Sequence, residues 1–277
     1  MISGPPDPWT QSVGWDDATA RSHAERLDRR AGVPDFVAMR ALVLRLAALQ
    51  LGDTVVEVGC GTGPLLMALS HAVGPDGRAI GIEPQPAFVE LARQRLAREG
   101  CSDRAEILQS SADRLDLPDA SAAACIEQTV LLHLPPETVP RALAEMIRVT
   151  RPGGHVISVD QDTDTWIIDH PDRALTERLA HFGTAERVDG WMGRKLLRLY
   201  RDAGLRAVEI HPVVQMDTEP HSYLYTSAVR QAESARDNGT LTAEEASRWI
   251  SQLADLAARG RFFASMNYYV CVGVKLA

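Results

Sequence analysis

A chain of 277 residues with 45% hydrophobic and 24% charged residues has the make-up of a globular protein able to bury a full core. Its formal charge of −8, with 37 acids against 29 Lys and Arg and no long basic run, carries no phosphate-backbone footprint and argues against a nucleic-acid substrate. The opening MISGPPDPW lacks the basic and apolar regions of a secretion signal, and no apolar stretch approaches the roughly 20 residues that span a bilayer. Cys60, Cys101, Cys125 and Cys271 form no CxxC pair, so reduced, buried thiols in a soluble, cytoplasmic protein are expected.

Taken in chain order, residues 1–33 hold Trp9 and Trp15 among Pro and Gly and are expected to form a flexible segment that covers the site. The run PDFVAMRALVLRLAAL (34–49) places Val37, Ala41, Leu44 and Ala48 at helical spacing, and Pro34 suits a helix start. From Asp53 to about Ile157, short β-rich runs alternate with helical ones: TVVEVG then PLLMALSHAV, AIGIEP then AFVELARQRLARE, AEILQS, AAACIEQTV then TVPRALAEMIRVT, and HVISVD after the turn PGG. Such alternation predicts βαβ units, with a parallel sheet buried under helices on both faces. Beyond Asp160, helices are predicted near 171–182 and 190–203, then a strand RAVEIHPVVQM, two helices at about 222–236 and 242–259, and a last strand NYYVCVGVKL. The helical pair, about 217–260, is expected as a cover inserted into a domain spanning 34–277.

The segment VVEVGCGTGPLL (55–66) runs from strand to glycines to helix, which lets the backbone approach a ligand and aims helix N-terminal N–H groups at it. Counted as a dinucleotide fingerprint it fails, because Pro64 stands where the third glycine belongs. The pattern present, with Glu57, Gly59, Gly61 and Gly63, resembles the first motif of class I S-adenosylmethionine-dependent methyltransferases. Later stretches extend the resemblance: IGIEPQP with Glu83, Pro84 and Gln85, SSADRLDLP with Ala112 and Asp113, IEQTVLLHLP with Glu127 and Gln128, and ALAEMIRVTRPGGHVISVD. The chain is most similar to the small-molecule members typified by the ubiquinone and menaquinone biosynthesis enzymes.

The resemblance implies an α/β fold, a doubly wound, seven-stranded, mostly parallel sheet of order 3-2-1-4-5-7-6 with the last strand antiparallel and a helical cover. It implies S-adenosylmethionine as cofactor and S-adenosylhomocysteine as product. In that reading Glu57, Gly59, Cys60, Gly61 and Gly63 cradle the cofactor, Glu83 accepts from both ribose hydroxyls with Pro84 and Gln85 beside it, Ala112 and Asp113 grip adenine, and Glu127 and Gln128 lie near the methionine moiety. A carboxylate suits the ribose because it only accepts hydrogen bonds and has two oxygens to offer.

Methyl transfer is an in-line displacement at an activated carbon, so a base is needed only for an acceptor that arrives protonated. His133, His170 and His221 are the candidate catalytic or substrate-contacting histidines, and Trp15, Trp166, Trp191, Tyr223 and Tyr225 the candidate pocket aromatics. DQDTDTW mimics the alternating acids of a calcium loop, but Thr165 and Pro171 occupy the positions that need Gly and Glu, so no metal is expected. Asp160 or Asp162 is read instead as a strand-end acid at the pocket mouth. The expected activity is methyl transfer to the O, N or C of a small molecule in quinone-like or natural-product biosynthesis. Non-methyl-transfer chemistry with the bound cofactor and a non-catalytic cofactor-binding module are the alternatives. The expected partners are a small acceptor, no nucleic acid and no membrane, with a homodimer as the assembly considered.

Overall fold

The computed structural model describes residues 7–276, so the first six residues of the expected covering segment lie outside the described part. Seven strands form one sheet: β1 (Thr54–Val58), β2 (Arg78–Ile82), β3 (Ala105–Leu108), β4 (Ala122–Gln128), β5 (Thr150–Ile168), β6 (Arg206–Asp217) and β7 (Ala264–Val274), in the order β3-β2-β1-β4-β5-β7-β6. The first five run parallel, while β7 is antiparallel to both β5 and β6. This is the expected α/β architecture and strand order. Strand order reverses between β1 and β4, which opens a crevice at their carboxyl ends, the place where ligands bind in open α/β sheets.

Among the described residues nine α-helices surround the sheet: α1 (Asp17–Gly32), α2 (Pro34–Ala47), α3 (Pro64–Val73), α4 (Pro86–Arg98), α5 (Val139–Val149), α6 (Arg173–Ala185), α7 (Met192–Asp202), α8 (Tyr223–Asp237) and α9 (Ala243–Ala258). Two cores result. One joins α2, α3, α4, α6, α8 and α9 to one sheet face through residues such as Val43, Leu69, Ala92, Leu179, Ala232 and Trp249. The other buries α5 and α7 on the opposite face through Leu143, Met146, Leu196 and Tyr200. In α5 the buried set Val139, Ala142, Leu143, Met146 and Val149 follows the i, i+3, i+4, i+7 spacing of an amphipathic helix.

The structure departs from the sequence expectations in three places. Residues 17–32 form a full helix, capped by Asp16 accepting from the Thr19 N–H at 2.8 Å, although DATARSHAERLDRRAG buries only Ala20 and Ala24 and shows no apolar stripe. In α2 the buried face is Phe36, Met39, Val43 and Ala47, one residue off the expected stripe, and Val37 is exposed. Strand β5 starts before the PGG turn and continues through DQDTDTW to Ile168, because Asp160, Gln161 and Asp162 stay in register with Tyr269, Tyr268 and Asn267 of β7.

Candidate active site

Between β1 and α3 the loop closes onto the end of β2. Gly59 and Cys60 both donate backbone N–H bonds to the Ile82 carbonyl, at 2.7 and 3.0 Å, so the strand end and the loop are stitched together. Gly59 has φ +68°, and a Cβ there would lie 2.3 Å from Cγ2 of Val130, leaving room for glycine alone. Gly63, at φ +84°, is the residue before α3, and Pro64 takes its first helical position, where a missing N–H costs nothing. Pro64 therefore starts a helix in place of the third glycine of a dinucleotide loop.

Glu83, the first residue after β2, folds its carboxylate back over this loop. One oxygen accepts from the Gly61 N–H and the other from the Gln85 N–H, each at 2.9 Å. Burial pushes its pKa up to about 7 against those two bonds, so the carboxyl is poised near neutrality. Glu57 lies behind the loop, its carboxyl raised well above the usual range by burial and then by Glu83; its Oε2 is buried without a hydrogen-bond partner among the described residues.

These groups form one end of a cavity of about 520 Å³, within the roughly 300–1,000 Å³ typical of ligand pockets. Glu57, Gly59, Cys60, Gly61, Glu83, Pro84 and Gln128 line it. The donor set suits an aminocarboxypropyl nucleoside: an acceptor carboxylate held by backbone at a loop too tight for side chains, and an orphaned buried acid oxygen beside it.

Other expected contacts lie off the cavity wall. Gly63 packs against Ala92 of α4. Gln85 spends its amide on the Ser12 carbonyl and the Ala87 N–H, tying the N-terminal segment to the cap of α4. Ala112 is buried in the second core, and Asp113 pairs with Arg141 at 3.1 Å while accepting from the Ser111 hydroxyl. Glu127 is fully buried beneath the wall, where it accepts from the Val130 N–H at 3.0 Å, and burial raises its pKa to about 7. Asp160 is buried inside the sheet and Asp162 is held by Arg194, so neither acid reaches the pocket mouth.

The three candidate histidines part company. His133 lines the cavity, and its Nδ1 is 2.6 Å from Oδ2 of the buried Asp7. Burial lowers the His133 pKa more than the Asp7 contact raises it. Burial alone would raise Asp7, but the hydrogen bond from His133, the charge of Arg187 and the Trp9 N–H hold it below its ordinary value. The imidazole is thus neutral beside a carboxylate, with Nδ1 carrying the proton and Nε2 the lone pair. His170 instead stacks on Trp249 and contacts its carbonyl at 3.1 Å, and His221 lies on the α8 approach at φ +62°.

Of the aromatics, Tyr223 lines the main cavity and Trp166 a recess of about 70 Å³ that shares Tyr223 with it. Trp15 forms a second layer, stacked on His23 at 4.0 Å; Tyr225 packs edge-on against Phe262, and Trp191 is exposed beneath Arg194. Missed by the sequence reading were Trp9, Phe36 and Phe88 on the wall, Asp7 behind His133, and the cavity arginines. Asp7 and Trp9 are delivered by the short 3-10 helix Pro8–Gly14, which Asp7 caps through the Trp9 N–H at 3.0 Å. Beside them Thr129, at φ +57°, is a β-branched residue in the left-handed region at the end of β4, a strained conformation of the kind found at functional sites.

Comparison with known proteins agrees with this geometry. The family described as "Methyltransferase domain" matches residues 55–154. An uncharacterized 37.1 kDa protein in transposon TN4556 of Streptomyces fradiae is 31% identical over 248 residues, covering 89% of this chain and 69% of that one. The demethylmenaquinone methyltransferase of Symbiobacterium thermophilum is 30% identical over 39% of this chain, a match that spans only 43% of its own length. Among solved structures, the YcgJ protein of Bacillus subtilis shares the fold with a TM-score of 0.60 at 19% identity, covering 86% of this chain and 98% of that one. With the strand order and the glycine loop closed by Glu83, these likenesses assign the chain to the class I S-adenosylmethionine-dependent methyltransferases.

Proposed function

We propose that the glycine-loop end of the cavity binds S-adenosylmethionine and that the remainder holds a small acceptor, which is methylated at oxygen or nitrogen. The observation that carries this reading is the Glu83 carboxylate held over the Gly61 N–H inside a cavity that continues to His133. When bound, the cofactor supplies a methyl group already activated on a sulfonium.

In this reading Glu83 accepts from the ribose hydroxyls, the free Oε2 of Glu57 accepts from the cofactor's amino group, and the Gly59–Gly61 backbone sets how closely the ligand approaches. Gln128 and Thr129 bound the space between cofactor and acceptor. His133 supplies the base: Asp7 fixes its tautomer through Nδ1, and Nε2 takes the proton from an acceptor hydroxyl or ammonium. Trp9 packs against it, Phe88 packs against Trp9, and both help to exclude water.

Calorimetry with S-adenosylmethionine, paired with an assay for S-adenosylhomocysteine release over a panel of phenols, amines and acids, tests this. Binding and acceptor-dependent release are expected, with release lost in His133→Ala while binding persists. Absence of binding, or release that His133→Ala leaves intact, would overturn it.

A further inference from the structure

Away from the glycine loop the cavity wall is cationic. Arg26 and Arg30 come from α1, Arg187 from the turn between α6 and α7, and Arg230 from α8, so separate segments converge their guanidinium groups on one space. Twelve other arginines in the chain form ion pairs with carboxylates. These four, like eleven others, make none among the described residues, and they stand together on one cavity wall in a protein with an overall charge of −8.

Their contacts are neutral. Arg26 Nη2 is 2.7 Å from His23 Nδ1, with its guanidinium 5.5 Å from the Trp9 ring centre. Arg30 donates to the Thr129 hydroxyl at 3.2 Å, Arg230 reaches the Ser227 hydroxyl only at 3.5 Å, and Arg187 Nε is buried with no partner. The neighbouring acid, Glu186, is engaged by the Ser234 hydroxyl at 2.7 Å. Burial first, and then the charge of Arg230, lowers the Arg26 pKa to about 10; Arg230 is lowered by burial too. Asp7 and Glu186 act on Arg187 and Arg230 only at longer range, and guanidinium groups crowded in a desolvated space with no carboxylate at ion-pair distance are unfavourable unless something returns that energy.

The cofactor cannot return it. On the reading above, S-adenosylmethionine brings one carboxylate together with an ammonium and a sulfonium, so its binding makes the cavity more positive. Arg30, bonded to Thr129 at the end of β4, and Arg40, which also lines the cavity and feels the Glu57 charge, are the arginines on the cofactor side. That leaves Arg26, Arg187 and Arg230, with the Tyr223 hydroxyl and Ser227 beside them. Arginine's planar fork matches the two oxygens of a phosphate or carboxylate, and charge-assisted bonds of that kind are about twice as strong as neutral ones.

We propose that the methyl acceptor carries an oxyanion, a phosphate, diphosphate or carboxylate, which Arg26, Arg187 and Arg230 bind. This rests on the proposed methyl transfer for the word acceptor, but the oxyanion site stands on its own geometry. Trp9, Phe36 and Tyr223 supply the apolar wall for the remainder of the molecule.

The test titrates pyrophosphate, inorganic phosphate and benzoate, at low salt, into the protein saturated with S-adenosylhomocysteine, for the wild type and for Arg187→Gln and Arg230→Gln. At least one probe is expected to bind, at least about tenfold more weakly in each variant, while S-adenosylhomocysteine affinity moves by less than about threefold. Pyrophosphate binding without benzoate binding assigns a phosphate acceptor, and the converse a carboxylate. Thermal unfolding gives a second readout: without anion both variants should melt above the wild type, and the bound probe should raise the wild type selectively. Failure of all three probes to bind at millimolar concentration, or binding indifferent to both variants, overturns the oxyanion site. Failure of S-adenosylhomocysteine to bind counts against the cofactor reading instead, and the probe titrations are then read on the free protein.

Discussion

The two ends of the cavity are built by different means. At the sheet end, β1, β2 and the loop between β1 and α3 present main-chain geometry and acids: Gly59 at positive φ, the Gly61 N–H, and the Glu57 and Glu83 carboxyls. At the cover end, α1, the α6–α7 turn and α8 present side chains, Arg26, Arg187, Arg230 and Tyr223, which meet only in three dimensions. The first end can tolerate almost no change of residue and suits a ligand of fixed shape. The second can change one side chain at a time, so one scaffold can retain its donor and vary its acceptor.

The severest way to break the sheet end is to give the loop a side chain. Gly59→Val sets a Cβ 2.3 Å from Val130 Cγ2 at φ +68°, and should cost about 2–4 kcal/mol in urea unfolding and abolish cofactor binding. Adding Val130→Ala should restore part of that stability by removing the clash, while the strained φ remains.

The next effect reads the buried acid. Because burial raises the folded pKa of Glu83 to about 7, above the ordinary 4.5, the fold binds an extra proton between those values. Its contribution is therefore most favourable at low pH and is lost as pH rises through about 7, by up to about 3 kcal/mol. Urea midpoints of the unliganded protein at several pH values between 5 and 8 should show this fall, and Glu83→Gln should flatten it, leaving the share due to Glu57 and Glu127.

At the boundary between the two ends, His133→Ala strips the buried Asp7 of its closest partner and should cost about 1–3 kcal/mol in thermal unfolding. A double-mutant cycle with Asp7→Asn should give less than the sum of the two losses, since both remove one interaction. The smallest effect is expected at Asp113, which lies off the wall and pairs with Arg141: Asp113→Asn should shift stability by under about 0.5 kcal/mol and cofactor affinity by under about twofold.

How much was legible in the sequence follows the same division. Gly59, Gly61 and Glu83 could be read because main-chain constraints leave a local pattern, and the alternating strand and helix periods led to the parallel sheet, while its strand order came from the family resemblance. Helix α1 could not be read from periodicity, since its polar face covers a cavity and only two alanines mark its buried side; the capping Asp16 was the available signal. The acids of DQDTDTW invited a site because their alternation is also that of a strand, and pairing with β7 turns Asp160 inward and delivers Asp162 to Arg194. Among the histidines, nothing local separates His133 from His170; the distinction is Asp7, 126 positions away in the chain. The arginines were invisible for the same reason, because no run or spacing links α1 to α8.

The division itself is tested most directly by titrating S-adenosylhomocysteine against two variants side by side. Glu83→Ala should weaken binding about 100-fold, the loss of charge-assisted bonds worth about 3 kcal/mol. The double variant Arg187→Gln, Arg230→Gln should change it by less than about threefold. Equal losses in both variants, or the larger loss in the arginine pair, would contradict a cavity with a donor end and a separate acceptor end.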